Sequence, residues 1–373
     1  MDLSIEDFDQ VCKQAASPDD YPGALRIENN VVIYSGEQLR QRLGDSAVEI
    51  RAEFAACLNE GPGVFAISGA YADTSVVDKT TDLFLTIIED ERAAGVGKGD
   101  HFGANERIWN SKQKVCERDP QLFVDYYGNP LLALVFQAWL GPFYQVTAQV
   151  NNVKPGSQAQ SVHRDYHLGF QSAHDVERFP AHAQVMSQYL TLQGAIAHGD
   201  MPLESGPTLL LPFSQQYEAG YMAYRCPEFV AYFDQHKVQL PLKNGDMLFF
   251  NPALFHGAGA NMGNRDRLAN LLQVSSAFGR TMESLDTHAM ISAVFPTLQD
   301  GLANGSMTAE ELDCIIAAVA DGYAFPTNLD SDPPGGGNAP ETDQQLMRRA
   351  LDAEWSWDRL KKALAARADR RRA

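Results

Sequence analysis

The sequence predicts an α+β fold whose core is an antiparallel double-sheet barrel of the jelly-roll type, with helices before and after it. From about residue 144 to residue 280, short β-prone runs alternate with turn-rich stretches such as "KPGSQ", "ESGPT" and "KNGD". No helical crossover is predicted between these runs, which favours antiparallel pairing. The flanking segments repeat apolar residues at helical spacing.

Residues 25–143 are predicted to mix helices with a strand. The stretch "SAVEIRAEFAACLNEG" has the apolar spacing of a helix, with Ser46 as a candidate cap and Gly61 at its end. "GVFAISG" predicts a short strand, and "DKTTDLFLTIIEDERAAG" a second amphipathic helix. "DPQLFVDYYGNPLLALVFQAWLG" predicts one or two more helices, interrupted at residues 128–130.

Five runs predict the strands of the barrel: "YQVTAQVNNV", "AQVMSQYLTLQGAI", "PTLLLPFS", "VQLPLKNGDMLFF" and "LANLLQVSSA". They place the barrel within an expected domain of residues 1–298. Residues 299–373 are expected to form a helical extension, in which Thr308 and Glu311 are placed as a capping box. Residues 330–343 have the composition of a linker. One last amphipathic helix, roughly 343–368, is expected to dock on the core or on a partner chain.

The overall composition excludes several classes of function. The 373 residues carry a net charge of −18, which disfavours binding to nucleic acid or to an anionic membrane. The five cysteines are scattered without a CxxC pair, so neither a disulfide framework nor a thiolate zinc site is expected. No signal peptide or membrane span is recognisable. We therefore expect a soluble cytoplasmic protein with a small-molecule partner, and the sequence leaves homo-oligomer formation open.

The stretch "SVHRDYHLGF" carries the residues most typical of a metal site. His163 and Asp165 stand two apart, so in an extended chain their side chains lie on one face. An imidazole and a carboxylate on one face are two thirds of the facial triad that binds Fe(II). The spacing of His163 and His167 would suit a helical zinc site instead, but Arg164 stands where that site has glutamate, and Gly169 disfavours a helix.

A second cluster completes the candidate site. His256 follows an apolar strand, and Arg267 lies eleven residues beyond it, across the turn-forming "NMGN". If that turn forms a hairpin, His256 and Arg267 face each other on adjacent strands. An arginine near the metal ligands is suited to a dicarboxylate cosubstrate, because its guanidinium can bind the far carboxylate in a bidentate pair. Arg265 is the alternative for this role.

The ordered motif set resembles the phytanoyl-CoA dioxygenase family. It comprises the H-x-D pair, "ESGPTLLLPFSQQYEAG", "NGDMLFFNPALFHGAGAN" and the arginine eleven residues beyond the histidine, and the similarity covers residues 25–285. Members of this family are oxygenases that use Fe(II), 2-oxoglutarate and O2 on a double-stranded β-helix, a cupin-like jelly roll. The resemblance implies that His163, Asp165 and His256 are the catalytic iron ligands. It also implies that Arg267 binds the C5 carboxylate of 2-oxoglutarate.

Three positions refine what the resemblance implies. Family members often have serine or threonine two residues after the distal histidine, where this chain has Ala258, so another hydroxyl or a water is expected to assist Arg267. Gln149 and Asn151 alternate on the strand before the H-x-D pair and are expected to contact the other end of the cosubstrate. Related halogenases have a small residue in place of the carboxylate, so Asp165 favours hydroxylation over chlorination.

The expected activity is hydroxylation of an unactivated C–H bond of a small molecule, with release of succinate and CO2. Pocket residues are expected from "GDHFGANERIWNSKQK", "DYHLGF" and "YMAYRCPEF", with Trp109, Tyr166, His167 and Arg225 as candidates for substrate contact. The acidic charge disfavours an acyl-CoA substrate. Two alternatives stay open: a non-catalytic barrel that binds a metal or ligand as a sensor or scaffold, and a metal-dependent hydrolase.

Overall fold

The computed structural model describes residues 3–44, 46–96, 105–334 and 339–372. The strands are β1 Arg26–Glu28, β2 Val31–Ser35, β3 Val64–Ser68, β4 Glu106–Ile108, β5 Gln145–Val153, β6 Thr191–Ala197, β7 Leu209–Leu211, β8 Met247–Phe250, β9 Phe255–Gly257 and β10 Arg267–Ser275. The helices are α1 Ile5–Cys12, α2 Gly36–Gln41, α3 Ala47–Asn59, α4 Ser75–Ala93, α5 Ser111–Arg118, α6 Pro120–Tyr127, α7 Pro130–Leu140, α8 Ala173–Glu177, α9 Ala181–Ser187, α10 Gly220–Ala223, α11 Pro227–His236, α12 Thr287–Asn304, α13 Ala309–Val319, α14 Asp343–Asp352 and α15 Trp357–Arg371.

Eight strands form the larger sheet, in the order β1-β2-β3-β8-β6-β10-β5-β4. All neighbours in it are antiparallel except β2 and β3. The two nine-residue strands β5 and β10 pair along their whole length, from Arg267 opposite Val153 to Ser275 opposite Gln145. Side chains of β5, β6 and β10 that stand two apart therefore share one face, and this face forms one side of the barrel.

The smaller sheet is made of short pieces. β7 pairs with β9, with Leu210 opposite His256. Isolated bridges extend it on both sides, from His163 to His256 and from Val238 to Leu210. The two sheets enclose a cavity that residues of both line. This antiparallel double-sheet barrel confirms the predicted jelly roll with flanking helices.

The helices before the barrel form where the apolar spacing and the capping residues of the sequence predict them. The predicted helices at residues 46–61 and 78–95 appear as α3 and α4, and "GVFAISG" forms β3. The stretch at 119–141 forms two helices, because Asn129 caps α7 with its side chain and Pro130 occupies the first helical position. Ser46 stands at the N-cap of α3 but makes no side-chain capping bond.

The C-terminal segment differs from its prediction in one respect. α13 begins with the predicted capping box, in which Thr308 and Glu311 bond reciprocally. The single last helix expected over 343–368 is instead two helices, α14 and α15. The chain takes a left-handed conformation at Glu354, and Ser356 then caps a new helix by accepting from the backbone N–H of Arg359. The apolar faces of α13, α14 and α15 join the main hydrophobic core, so the extension docks on this chain's own core.

Two other regions depart from the strand prediction. In "AQVMSQYLTLQGAI" only the second half is strand β6, while the first half belongs to α9 and a short 3-10 turn. Residues 26–35, for which no strand is predicted, form β1 and β2 and extend the larger sheet. Among the described residues, no helix combines the length and the apolar character needed to cross a bilayer.

Candidate metal centre and its cavity

The structure brings His163, Asp165 and His256 together at one point of the cavity wall. Each offers one ligand atom, and these atoms all lie within 4.8 Å of one another. Nε2 of His163 is 3.7 Å from Oδ1 of Asp165, and Nε2 of His256 is 3.6 Å from Oδ2. One cation can bridge either of these two histidine–carboxylate separations, since two donors at about 2.1 Å from a metal lie at most about 4.2 Å apart.

Both imidazoles are oriented by backbone carbonyls. Nδ1 of His163 lies 2.9 Å from the carbonyl of Ser161, and Nδ1 of His256 lies 2.8 Å from that of Leu254. A carbonyl can only accept, so in each ring Nδ1 carries the proton and Nε2 keeps its lone pair. Both lone pairs are thus available beside Asp165, the arrangement in which histidines ligate metals.

The charge states suit a divalent cation. Burial lowers the pKa of His163, and the neighbouring His256 lowers it further, so the ring is neutral at neutral pH. Burial raises the pKa of Asp165, but the hydrogen bond with His256, the two imidazoles and Gln193 outweigh it and lower that pKa to about 2. Asp165 therefore offers an anionic oxygen beside the neutral ring of His163.

Arg164 fixes the short segment that carries two of the three donors. It points away from His163 and Asp165, is 2% exposed, and its Nη2 donates to the carbonyls of Ser214 at 2.6 Å and Tyr217 at 3.1 Å. The guanidinium packs so closely on Gly220 that a Cβ there would lie 1.8 Å from Cζ of Arg164. Only glycine fits at residue 220 beside this arginine.

The chain turns sharply after Asp165 and separates the two histidines of "SVHRDYHLGF". Tyr166 and His167 have φ angles of 62° and 38°, a left-handed conformation that non-glycine residues rarely adopt. The backbone N–H of Asp165 donates to the carbonyl of Pro252 at 3.2 Å, and the hydroxyl of Tyr166 donates to Gln273. His167 consequently lines a neighbouring groove with Leu168 and Phe179.

The hairpin expected between His256 and Arg267 is wrong. His256 lies on β9 of the smaller sheet, whereas Arg267 begins β10 of the larger sheet, and the two strands pair with different neighbours. The "NMGN" turn passes from one sheet to the other, and Asn261 holds it by donating to the carbonyls of Val153 and Arg265. Both residues nevertheless line the same cavity, from opposite walls.

Arg267 is a buried cation in this cavity, which has a volume of about 560 Å³. It is 8% exposed, and its guanidinium has no hydrogen-bond or ion-pair partner in the part of the chain that the structure describes. Burial lowers its pKa to about 10, so it stays charged at neutral pH. A buried cation without a counterion is suited to an anionic ligand. Arg265 is exposed and does not line the cavity.

Thr208 places a hydroxyl across from Ala258. Leu209 pairs with Gly257, and the same register continues past the strand ends, because a Cβ on Gly259 would lie 2.6 Å from the carbonyl oxygen of Pro207. Thr208 therefore stands opposite Ala258, and residues directly opposite each other in an antiparallel pair share a face. Both line the cavity together with Arg267.

Amide side chains from three strands line the opposite wall. Gln149 and Asn151 of β5 face the cavity, as do Gln193 of β6 and Gln273 of β10. Gln149 Oε1 accepts from Arg107, while its Nε2, like Oδ1 of Asn151, is buried without a partner among the described residues. Polar atoms buried in this way are suited to hydrogen bonds with a bound ligand.

The candidates for substrate contact are placed unequally. Trp109 lines the cavity, is 37% exposed and stacks under Arg107 at 5.0 Å. Tyr166 is buried beside the cavity, and Arg225 lies outside it, donating to the carbonyl of Gln171 at 2.7 Å. Of the expected lid segment at residues 99–114, residues 99–104 lie outside the described part of the chain.

The donor set fits Fe(II). Two imidazole nitrogens and one carboxylate oxygen on one side of a point form the facial arrangement that non-haem Fe(II) oxygenases use, and they leave the cavity side open for further ligands. The sequence pattern grouped the three residues that the structure brings together but missed Arg164, Gln193 and Thr208. A polar residue at an inward position of a predicted strand is the signal for Gln193, and Thr208 follows the "ESGP" turn directly.

Comparison with known proteins gives one family match and several distant similarities. A family model described as phytanoyl-CoA dioxygenase (PhyH) matches residues 60–269, more than half of the chain. "Dioxygenase cdmD" of Talaromyces verruculosus is 27% identical over 144 residues, which are 39% of this chain and 43% of that protein. The match thus spans less than half of that relative.

Two solved structures from nogalamycin biosynthesis are also similar. The epimerase SnoN, in complex with Fe3+, alpha ketoglutarate and nogalamycin RO, is 16% identical with a TM-score of 0.43 over 62% of this chain and 85% of that one. The non-heme alpha ketoglutarate dependent carbocyclase SnoK is 19% identical with a TM-score of 0.44 over 64% and 85%. Similarity at this level carries no conclusion about the activity of this chain.

Proposed function

The chain belongs to the phytanoyl-CoA dioxygenase family of Fe(II)- and 2-oxoglutarate-dependent oxygenases, and on that premise we propose that it hydroxylates an unactivated C–H bond of a small molecule. Succinate and CO2 are the proposed co-products. The observation that carries this proposal is the His163–Asp165–His256 cluster on the wall of a cavity whose opposite wall holds Arg267, which has no counterion among the described residues.

The proposed iron ligands are Nε2 of His163, Nε2 of His256 and the carboxylate of Asp165. The carbonyls of Ser161 and Leu254 keep both rings in the tautomer that ligates through Nε2. Bound Fe(II), together with 2-oxoglutarate and O2, supplies the oxidant that replaces a hydrogen of the substrate by a hydroxyl group. Asp165 supports hydroxylation over chlorination, because its carboxylate takes a position that a halide would need.

The proposed cosubstrate site lies between the two walls. Arg267 binds the far carboxylate of 2-oxoglutarate, and the Thr208 hydroxyl assists it in place of the hydroxyl that Ala258 lacks. The two donors together satisfy an anion better than the guanidinium alone, since charge-assisted hydrogen bonds are directional. Gln149 and Asn151 are proposed to contact the other end of 2-oxoglutarate through their cavity-facing polar atoms.

The proposed substrate is a small molecule that enters the remaining space. A cavity of about 560 Å³ is larger than 2-oxoglutarate alone requires and lies within the range of roughly 300–1,000 Å³ that small-molecule sites occupy. Trp109, Phe170 and Met282 give its outer part an apolar and aromatic lining. This lining favours a substrate with a largely apolar body and helps to exclude water from the reacting carbon.

The test is turnover under 18O2 with a panel of candidate substrates. We expect 2-oxoglutarate-dependent succinate formation and a product that has gained one oxygen from 18O2. Asp165→Ala should lower succinate formation to background, whereas Asp175→Ala, which removes a half-buried carboxylate of α8 that does not line the cavity, should leave it unchanged. A product that lacks the label would contradict hydroxylation. An O2-independent, zinc-dependent hydrolysis would contradict the oxygenase itself.

A further inference from the structure

Gln193 contacts Asp165, one of the three proposed metal ligands, and the proposed function gives this contact no role. It lies on β6 in the middle of the larger sheet, is 3% exposed, and its Nε2 donates to Oδ2 of Asp165. Its Oε1 is buried without a hydrogen-bond partner in the described ranges of the chain. One amide thus uses its donor on the acidic metal ligand and leaves its acceptor unused.

The orientation of this amide is set by Asp165. If the amide were turned over, Oε1 would face a carboxylate, and two acceptors would meet without a proton between them. Only the observed orientation lets the two side chains bond, even though Oε1 then has no partner. The hydrogen bond to Asp165 therefore determines the orientation of the Gln193 amide, since its other polar atom has no partner among the described residues to orient it.

The two oxygens of Asp165 consequently differ. Oδ2 is bonded to Gln193 and lies 3.6 Å from Nε2 of His256, whereas Oδ1 lies 3.7 Å from Nε2 of His163. Resting on the ligand set of the proposed function, we propose that Gln193 is a positioning residue for Asp165. It occupies Oδ2, fixes the rotation of the carboxylate and leaves Oδ1 as the oxygen that ligates the metal.

The neighbouring strand supplies a natural contrast. Gln273 of β10 lies directly opposite Gln193 in the sheet and lines the same cavity. Its Oε1 accepts from the hydroxyl of Tyr166, the residue after Asp165. Two glutamines at the same level of the barrel therefore hold consecutive residues, and only Gln193 contacts a ligand atom.

The experiment measures Mn(II) affinity by counting free Mn(II) from its electron paramagnetic resonance signal. Gln193→Met and Gln193→Leu retain an apolar side chain of similar size but lose the donor. We expect both to weaken Mn(II) binding by about ten- to a hundredfold, the usual effect of removing a partner of a metal ligand. The variants need no substrate or turnover for this readout.

Gln184→Met is the matched control for general loosening of the protein. Gln184 is a buried glutamine of α9 that donates to the carbonyls of Val176 and Phe179 and contacts none of the three proposed ligands. This variant should lower the melting temperature while Mn(II) affinity stays within about twofold of wild type.

The outcomes separate this inference from the proposed function. Unchanged Mn(II) affinity in both Gln193 variants overturns the positioning role while the metal site stands. An equal loss of affinity in Gln184→Met also overturns it, because the effect would then come from loss of stability. Failure of the wild-type protein to bind Mn(II) overturns the metal site, and the role of Gln193 with it.

Discussion

The cavity has two walls that are held in place by different means. One, the ligand wall, consists of the bridge at His163 together with β7 and β9, each three residues long. The other, the sheet wall, consists of β5, β6 and β10, which pair continuously over seven to nine residues. Backbone ladders fix the sheet wall, whereas the ligand wall has too few ladder bonds to fix its donors.

Side-chain bonds take over that task on the ligand wall. Carbonyls orient both histidines, Arg164 ties the H-x-D segment to residues 214–217, and Gln193 reaches across from the sheet wall to Asp165. In this protein, buried polar contacts thus replace the missing ladder bonds where irregular backbone carries the proposed metal ligands. On the sheet wall the strand register places Arg267 and the amides, and side-chain hydrogen bonds only add to it at Gln149 and Gln273.

The largest predicted effect is the loss of 2-oxoglutarate affinity when the charge of Arg267 on the sheet wall is removed. Arg267→Met should weaken 2-oxoglutarate binding by about thirtyfold or more, because loss of one partner of a buried charge pair costs roughly 2–5 kcal/mol. The measurement is an anaerobic titration of the Fe(II)-loaded protein with 2-oxoglutarate. Arg265→Met is the matched control, since Arg265 is exposed, and its affinity should equal that of wild type. Equal losses in both variants would contradict the role of Arg267.

The stability of the protein should depend on the hydrogen bonds from Arg164 that hold the ligand wall. Arg164→Met leaves the carbonyls of Ser214 and Tyr217 without their donor and should lower the free energy of unfolding by about 2–4 kcal/mol. Urea denaturation followed by circular dichroism measures this change. Arg178→Met removes an arginine whose side chain is 74% exposed and should change the free energy by less than about 0.5 kcal/mol. An equally small change in the free energy of unfolding for Arg164→Met would mean that the hydrogen bonds of Arg164 do not stabilise the fold.

A smaller loss of 2-oxoglutarate affinity is expected when the hydroxyl of Thr208 is removed. Thr208→Val should weaken 2-oxoglutarate binding by about tenfold, which corresponds to one hydrogen bond to a charged group. Adding Ala258→Ser to Thr208→Val returns a hydroxyl from the opposite strand and should restore most of the lost affinity. Wild-type affinity in Thr208→Val, measured by the same titration, would show that its hydroxyl does not contact the cosubstrate.

The smallest effect concerns a charge at the edge of the sheet wall. Burial raises the pKa of Glu283 to about 7, although hydrogen bonds from the backbones of Asn110 and Ala148 and the charges of Lys114 and Lys112 lower it in part. Because this folded-state pKa exceeds the unfolded value, the contribution of Glu283 to stability is complete below about pH 4.5 and is lost as pH rises through 7.

Between pH 5 and pH 8, wild type should therefore lose about 1 kcal/mol more stability than Glu283→Gln, whose side chain does not titrate. Urea unfolding of both proteins at the two pH values gives the comparison. Parallel pH dependence in the two proteins would mean that Glu283 is ionised in the folded state over this whole range.

The sequence predicted the long strands of the sheet wall better than it predicted how the strands that carry His256 and Arg267 are paired. Alternation within one segment was enough to pair His163 with Asp165, and the strand pattern located β5 and β10. The hairpin between His256 and Arg267 was wrong because a turn sequence specifies a reversal of the chain but not which sheet the next strand joins. Strand partners are chosen by long-range packing.

The roles of Arg164, Gln193 and Thr208 could not be predicted from the sequence for a related reason. Arg164 reads as a surface charge next to the ligands, and only the folded carbonyls of residues 214 and 217 explain its burial. Gln193 and Thr208 acquire their positions from cross-strand neighbours far along the chain. A local signal was also missed in the last predicted helix, where Ser356 caps a new helix although the apolar periodicity continues past it.

The most direct test of the account is an anaerobic titration of the wild-type protein with Fe(II) and 2-oxoglutarate, followed by visible absorption. Two imidazoles and one carboxylate opposite Arg267 should give the weak charge-transfer band of an iron-bound 2-oxo acid, saturating at one equivalent of each per chain. The band should be lost in Asp165→Ala and should need far more 2-oxoglutarate in Arg267→Met. Absence of the band from the wild-type protein at saturating concentrations would contradict the assignment of this site.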